Sequence, residues 1–215
     1  MRKYKGAIFD LDGVIVDTAK YHYLAWKRLA KELGFHFTEQ DNERLKGVSR
    51  MRSLEILLEV GGLTFSEEEM LEMAAKKNAW YVEYLQQMDD SELLPGAKEF
   101  LLELRRRGVK TALGSASKNS PMILEKLHIT ELFDAVIDGN SVSAAKPDPE
   151  VFTKGVEALA LTGEECVVFE DSQSGIEAAH AAGCGVVAVG TPENLKGGDL
   201  YVANLGEVKA DELFI

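Results

Sequence analysis

The sequence predicts an α/β protein whose core is a doubly wound parallel sheet interrupted by an inserted helical domain. Three observations carry this expectation. Residues 7–9, Ala-Ile-Phe, form an apolar run without polar alternation, as a parallel strand covered on both faces does. Between Thr18 and Asp90 the apolar spacing is helical and no convincing strand pattern occurs. From Leu94 onward, short apolar runs alternate with helical segments, which implies parallel strands joined by right-handed crossovers. The first strand cannot stand outside a sheet and must pair with strands beyond residue 108, so the helical block is an insert. The expected boundaries are residues 1–16 and 92–215 for the α/β core and 17–91 for the helical domain.

The elements follow in order. Tyr21, Leu24, Ala25, Leu29 and Leu33 recur at helical spacing, and Gly34 stops that helix. A second helix is expected from Arg50 to Val60, ended by Gly61-Gly62. A third starts at Ser66, whose spacing to Glu69 is that of a capping box, and runs through Met70, Met73, Trp80, Tyr81 and Leu85 to about Met88. The core then reads as a helix over 96–107 closed by Gly108, a strand over 109–114, a helix near 119–127 and a strand over 134–137. A helix over 150–160, a strand over 166–169, a helix over 174–182 and a strand over 185–189 complete the alternation. Gly197-Gly198 in the tail suggests only a surface turn.

At 215 residues, 46% hydrophobic and 28% charged, the composition is that of an ordinary globular protein with one sizeable core. No apolar run reaches the length of a membrane span, and Met1-Arg2-Lys3-Tyr4 passes straight into the first strand, so a cytoplasmic location is expected. Cys166 and Cys184 fit no metal or redox spacing and read as small buried hydrophobes. A net charge of −12 repels nucleic acid and anionic membranes, so a phosphorylated substrate would need a local cationic pocket.

The carboxyl ends of parallel strands share one edge, where open α/β sheets bind ligands. The first strand ends in Asp10-Leu11-Asp12-Gly13, which by itself could be no more than an Asp-Gly turn. The second ends in Ser115-Ala116-Ser117-Lys118-Asn119, either an anion site of hydroxyls and free N–H groups or simply a helix N-cap. Lys146 sits in a proline-stiffened turn, although an isolated lysine is usually a solvated one. The run 167–169 ends in Glu170-Asp171, two adjacent acids that repel unless a cation offsets them. Gathered at one edge, these oxygens suit Mg2+, and a carboxylate there can attack phosphorus to form an aspartyl phosphate. Lys146 and the metal would offset repulsion between an anionic nucleophile and an anionic phosphoryl group. Because the insert leaves the sheet just after Asp12, a helical lid over these strand ends is expected.

With those residues in place, the chain resembles the haloacid dehalogenase superfamily over nearly its whole length. Asp10-Leu11-Asp12-Gly13-Val14, Ser115, Lys146 and Glu170-Asp171 are similar to its four motifs, in order. The resemblance implies a Rossmann-like core of haloacid dehalogenase type, and the helical insert looks like the small cap of the subfamily of sugar-phosphate phosphatases and mutases. Within it, the likeness is to mutases that interconvert β-D-glucose 1-phosphate and D-glucose 6-phosphate. It rests on Asp17-Thr18, Tyr21-His22, Ala25-Trp26, residues 45–50, Lys76-Lys77-Asn78, residues 115–119 and Glu170-Asp171-Ser172.

What the resemblance implies is specific. Asp10 corresponds to the phosphorylated nucleophile and Asp12 to the general acid and base. Mg2+ would be held by Asp10, the Asp12 carbonyl, Glu170 and Asp171, with β-glucose 1,6-bisphosphate as intermediate and activator. Ser115, Ala116 and Lys146 would surround the phosphoryl group in transfer, and Arg50, Ser117, Lys118 and Asn119 would clamp the other phosphate. Thr18, His22, Trp26, Leu45, Gly47, Val48, Ser53 and Lys77 complete the implied cap and hinge residues, of which His22 could equally be packed core, while burial preference alone reads Trp26 as core rather than ligand contact. Val16 stands where a more polar residue is expected before Asp17. The implied partners are small sugar phosphates, with a monomeric chain. A hydrolase of the same fold, in which water discharges the aspartyl phosphate, is the alternative. A silent sugar-phosphate sensor is opposed by the intact Asp10, Asp12, Lys146 and Asp171.

Overall fold

The computed structural model of the protein describes residues 3–45 and 48–215. The chain divides into two compact units, Met1–Asp17 with Asp89–Ile215, and Thr18–Met88.

In the first unit β1 (Gly6–Phe9), β2 (Lys110–Gly114), β3 (Ala135–Ile137), β4 (Cys166–Glu170), β5 (Gly185–Val189) and β6 (Leu200–Val202) form one sheet in the order β3-β2-β1-β4-β5-β6. All its neighbours run parallel. The sheet starts at its centre and winds outward both ways, so β1 has a strand on each side and reads as uninterrupted apolar sequence. Ile8 pairs in register with Ala112 on β2 and with Val168 on β4. This register brings Asp10, Ser115 and Glu170 to the same edge, at the topological switch point where β1 separates the two halves of the sheet.

The core fills both faces of the sheet. On one, Ile8, Ala112, Val168 and Val186 pack with Phe152, Val156 and Ile176 from the flanking helices. On the other, Phe9 stacks on Phe169 with ring centroids 4.7 Å apart and meets the edges of Phe100 and Phe133 at 6.1 and 6.2 Å. These contacts lie directly beneath Asp10 and Glu170, so packing of the aromatic side fixes where the carboxylates begin.

The second unit contains α1 (Ala19–Glu32), α2 (Glu39–Glu43), α3 (Arg50–Gly61) and α4 (Glu67–Leu85), and among its described residues no strand occurs. Local chemistry sets the boundaries. Ser66 and Glu69 form the capping box expected at the start of α4, and Gly62 ends α3 in the left-handed region at φ 64°. Ala25, Trp26 and Leu29 of α1, Leu54 and Leu57 of α3, and Tyr81 and Leu85 of α4 are buried and make its core.

The helices of the first unit are α5 (Ala97–Arg106), α6 (Ser120–Lys126), α7 (Glu150–Ala158), α8 (Gln173–Ala181) and α9 (Ala210–Leu213). Two elements lie outside the sequence expectations. The turn at Gly197-Gly198 leads into β6, whose three residues are too few to show a period but which pairs with β5 from Val187↔Leu200 to Val189↔Val202. The helix α2 has no buried residue and hence no apolar signature; the Thr38–Asp41 capping box alone marks it. Removing the Phe9 ring empties the centre of the aromatic layer. Phe9→Ala should cost about 3–5 kcal/mol of stability, measured by denaturant unfolding with an unchanged m-value.

Candidate active site

Asp10 follows β1 directly, and its backbone N–H donates to the Phe169 carbonyl at 3.0 Å, so the last rung of the sheet fixes its position. Glu170 is the final residue of β4 and is almost wholly buried. Oxygen atoms of Asp10, Glu170 and Asp171 lie within 4.8 Å of one another. The Lys146 ammonium donates to Asp10 Oδ1 at 2.5 Å and to Glu170 Oε2 at 2.8 Å. The other Glu170 oxygen accepts from the Ser172 N–H at 3.1 Å and hydroxyl at 2.6 Å. Ser172 in turn caps α8 through the Gly175 N–H, so the residue that orients Glu170 is itself anchored by the next helix.

Electrostatics at this edge are strained by charge. Loss of hydration, and then repulsion from Glu170 and Asp171, hold the Asp10 carboxyl well above the ordinary range although Lys146 pulls it down. Loss of hydration, followed by repulsion from Glu170 and Asp12, pushes Asp171 up to about 7. Burial opposes the Lys146 charge, but Asp10 and Glu170 overcome it and raise its pKa. One ammonium therefore neutralises part of an acid cluster that asks for a further cation.

Two glycines give the carboxylates their room. A Cβ on Gly13, which sits at φ +78°, would lie 2.0 Å from Asp171 Oδ2, and one on Gly175 would lie 2.0 Å from Glu170 Cδ. The donor set is all hard oxygen, and the missing Cβ atoms keep those oxygens convergent. That combination fits Mg2+ held by Asp10, Glu170 and Asp171. Along the chain Gly13 reads as a turn residue, and the room that it and Gly175 leave for the acids shows only in their close approach.

Ser115 is buried one residue past β2, where its N–H donates to the Ile137 carbonyl at 3.0 Å. It is not a helix N-cap, because α6 begins only at Ser120 and its cap residue Asn119 makes no side-chain cap bond. The backbone N–H groups of Ser117 and Asn119, expected to be free, are bonded to the Ser115 and Ser117 hydroxyl oxygens at 3.1 and 3.3 Å. Each hydroxyl keeps its own hydrogen to donate. Ala116 and Lys118 are exposed on the same loop. A residue the sequence reading missed, Asp138, lies buried after β3 and accepts from Asn140 and Ser141, while Asn140 Nδ2 donates to the Lys118 carbonyl at 3.2 Å. Its Asp-Gly-Asn sequence is that of an ordinary turn and carries no signal of the contact with Lys118.

The helical unit carries its own cluster. Lys77 is 1% exposed, with Nζ 2.7 Å from His22 Nδ1 and lying over the Trp26 and Tyr81 rings. His22 stacks on Tyr81 at 3.9 Å, and Tyr81 donates its hydroxyl to buried Thr18 at 3.1 Å. Burial, then Lys77 and Arg50, hold His22 well below 6.5, so its ring is neutral at pH 7 and accepts from the ammonium. Arg50 opens α3 half-buried, with Ser53 buried three residues on. Leu45 is buried, Val48 exposed, and Gly47 lies outside the described residues.

A carboxylate cluster paired with a lysine at the switch point of a doubly wound sheet, in a chain with a helical insert after the first strand, is the arrangement of a phosphotransferase class. The chain belongs to the haloacid dehalogenase-like hydrolase family, which matches residues 7–189. It is 38% identical to a Bacillus subtilis β-phosphoglucomutase over 97% of this chain and 93% of that one. A crystal structure of β-phosphoglucomutase from Clostridium difficile superposes with a TM-score of 0.91 at 39% identity, covering 97% of this chain and 95% of the other. A phosphorylated carbohydrates phosphatase of Thermotoga maritima is 33% identical over 83% of this chain and 82% of its own.

Protons and a metal ion compete for the same oxygens. Because Asp171 titrates at about 7 without metal and Asp10 is raised as well, Mg2+ affinity should fall as pH drops below 7, by about tenfold per pH unit for each proton displaced. Calorimetric Mg2+ titrations between pH 6 and 8, in buffers of different ionisation enthalpy, should show proton release on binding; a pH-independent affinity would contradict the assignment.

Proposed function

We propose that this protein is a Mg2+-dependent phosphomutase that interconverts β-D-glucose 1-phosphate and D-glucose 6-phosphate through β-glucose 1,6-bisphosphate. The observation that carries the reading is Asp10, fixed at the end of β1 within hydrogen-bonding distance of Lys146 and among the Glu170 and Asp171 carboxylates. The similarity along nearly the whole chain to β-phosphoglucomutases supports the choice of reaction.

In the proposed cycle Asp10 carries the phosphoryl group as an aspartyl phosphate. A sugar hydroxyl attacks phosphorus, the Asp10 O–P bond breaks as the sugar O–P bond forms, and Asp12 takes the hydroxyl proton. After the bisphosphate reorients, Asp10 takes the phosphoryl group from the other end and Asp12 returns the proton to the departing sugar oxygen. Lys146 and Ser115 hold the oxygens of the group in transfer, where an ammonium and a hydroxyl stabilise the charge that develops. Asp10, the Asp12 carbonyl, Glu170 and Asp171 would hold Mg2+, which would supply charge neutralisation at the transferring phosphoryl group. In the same reading Arg50 on α3 is assigned to the phosphate not in transfer, Ser117, Lys118 and Asn119 are phosphate contacts of their own loop, and His22 and Lys77 are sugar contacts. The net charge of −12 disfavours nucleic acid and anionic membranes as partners and is compatible with small sugar phosphates held in a local cationic pocket.

Two substitutions test this. Asp10→Asn should abolish turnover and leave the circular dichroism spectrum and melting temperature near wild type, because an amide is isosteric but too poor a nucleophile. A tenth of the wild-type rate in that variant would sink the assignment. Arg50→Ala should lower phosphoryl transfer to sugar phosphate by about thirtyfold or far more, corresponding to about 2–5 kcal/mol for a desolvated charged contact. Hydrolysis of the phospho-enzyme, which requires no second phosphate, should fall much less. Both rates are read from phosphorylated enzyme; equal losses would favour a phosphatase such as the Thermotoga relative over a mutase.

A further inference from the structure

Lys146 reaches Asp10 and Glu170 from a loop without regular structure, residues 138–149, so something must hold that loop while the ammonium sits between two carboxylates. The strongest bonds to it converge on Glu150, in the first turn of α7. Glu150 Oε2 accepts from the Ser143 N–H at 2.7 Å, the Ser143 hydroxyl at 2.9 Å and the Ala144 N–H at 2.8 Å. Its Oε1 accepts from Lys154 at 2.6 Å, and Lys154 also donates to the Ser141 carbonyl at 2.5 Å. Asp148 closes the far side: its N–H donates to the Ala145 carbonyl at 3.0 Å and its carboxylate accepts from the Glu150 N–H at 2.9 Å.

We propose that Glu150 is a positioning residue for Lys146, its carboxylate clamping the two backbone positions that precede the lysine turn and tying them to α7. The same helix also lies under the lysine head, with Lys146 Nζ 4.7 Å from the Phe152 ring centroid. Glu150 thus fixes the base of a long flexible side chain whose tip Phe152, Asp10 and Glu170 receive. Through Ser141 the clamp joins Asp138, and through Asn140 it reaches the Lys118 carbonyl, so one polar network spans the lysine turn and the serine loop. A carboxylate suits the position because three donors share one oxygen while an ammonium takes the other. Lys154 first, then the Ala144 and Ser143 donors, hold Glu150 down to about 2, so it stays ionised across the working range. Glutamine would keep an acceptor for the loop but turn its NH2 group toward the Lys154 ammonium.

The inference rests on the role proposed for Lys146, and the experiment separates the two. Glu150→Ala and Glu150→Gln are made in the wild-type and Lys146→Ala backgrounds, with kcat, KM for β-D-glucose 1-phosphate and melting temperature measured for all. A misplacement of about 1 Å at the reacting group costs roughly a hundredfold in rate, so Glu150→Ala should lower kcat by at least about tenfold with KM changed by less than about threefold. Glu150→Gln should recover part of the loss. In the Lys146→Ala background the same substitution should lower the residual rate by less than about threefold, because there is no ammonium left to misplace. A lowered melting temperature with unchanged kcat, or the same fractional loss in both backgrounds, would overturn the proposal. If Glu150→Ala does not fold, the near-isosteric glutamine variant decides it by the same criteria. A Lys146→Ala enzyme with the wild-type rate would instead overturn the function assigned to Lys146.

Discussion

Repulsion among carboxylates at the carboxyl edge of the sheet is the constraint on which the rest of the site depends. Asp10, Glu170 and Asp171 bring oxygens within 4.8 Å of one another, an arrangement that water would screen and a strand end does not. The chain answers with Lys146, whose ammonium binds two of them, and with an arrangement of hard oxygens that suits a divalent ion. The raised pKa values of Asp10 and Asp171 express what the single lysine leaves uncompensated. Under the proposed function a nucleophile that accepts an anionic phosphoryl group would gain from that deficit, because a cation that relieved it would also neutralise the incoming charge.

Holding such a cluster requires rigidity in the layers below. Phe9 and Phe169, the residues just before Asp10 and Glu170, stack face to face in register across β1 and β4. The stack couples the two carboxylates to one packed layer, which shifts far less readily than a surface loop. Above the sheet the requirement is the opposite, for space, and Gly13 and Gly175 supply it by omitting the one carbon that would collide with the acids.

The helical unit solves a different electrostatic problem. It buries a charge of its own, the Lys77 ammonium, within a cage of Trp26, Tyr81 and His22. Aromatic faces stabilise the ammonium, and the neutral imidazole accepts its proton-bearing edge. The cage also explains why Tyr81, which by composition looks like plain core, is both fully buried and bonded to Thr18 at the start of the unit.

The sequence by itself determined the alternation that makes a parallel sheet and the helical insert after the first strand, and it pointed to Asp10, Asp12, Ser115, Lys146, Glu170 and Asp171 as candidates for one edge. It could do so because strand ends are local features: an apolar run stops, and the next residue faces the edge. What only the tertiary structure decided was how those residues meet. That Ser115 folds into a hydroxyl-bonded turn rather than capping α6, that Gly13 makes way for Asp171, and that Asp138 and Glu150 brace the loops all depend on contacts between residues far apart or on loops without periodicity. The short strand β6 escaped for the same reason, since three residues show no period and only pairing with β5 makes them a strand. Periodicity and residue type are written along the chain, whereas close approach, register and shared hydrogen bonds exist only once distant segments are brought together.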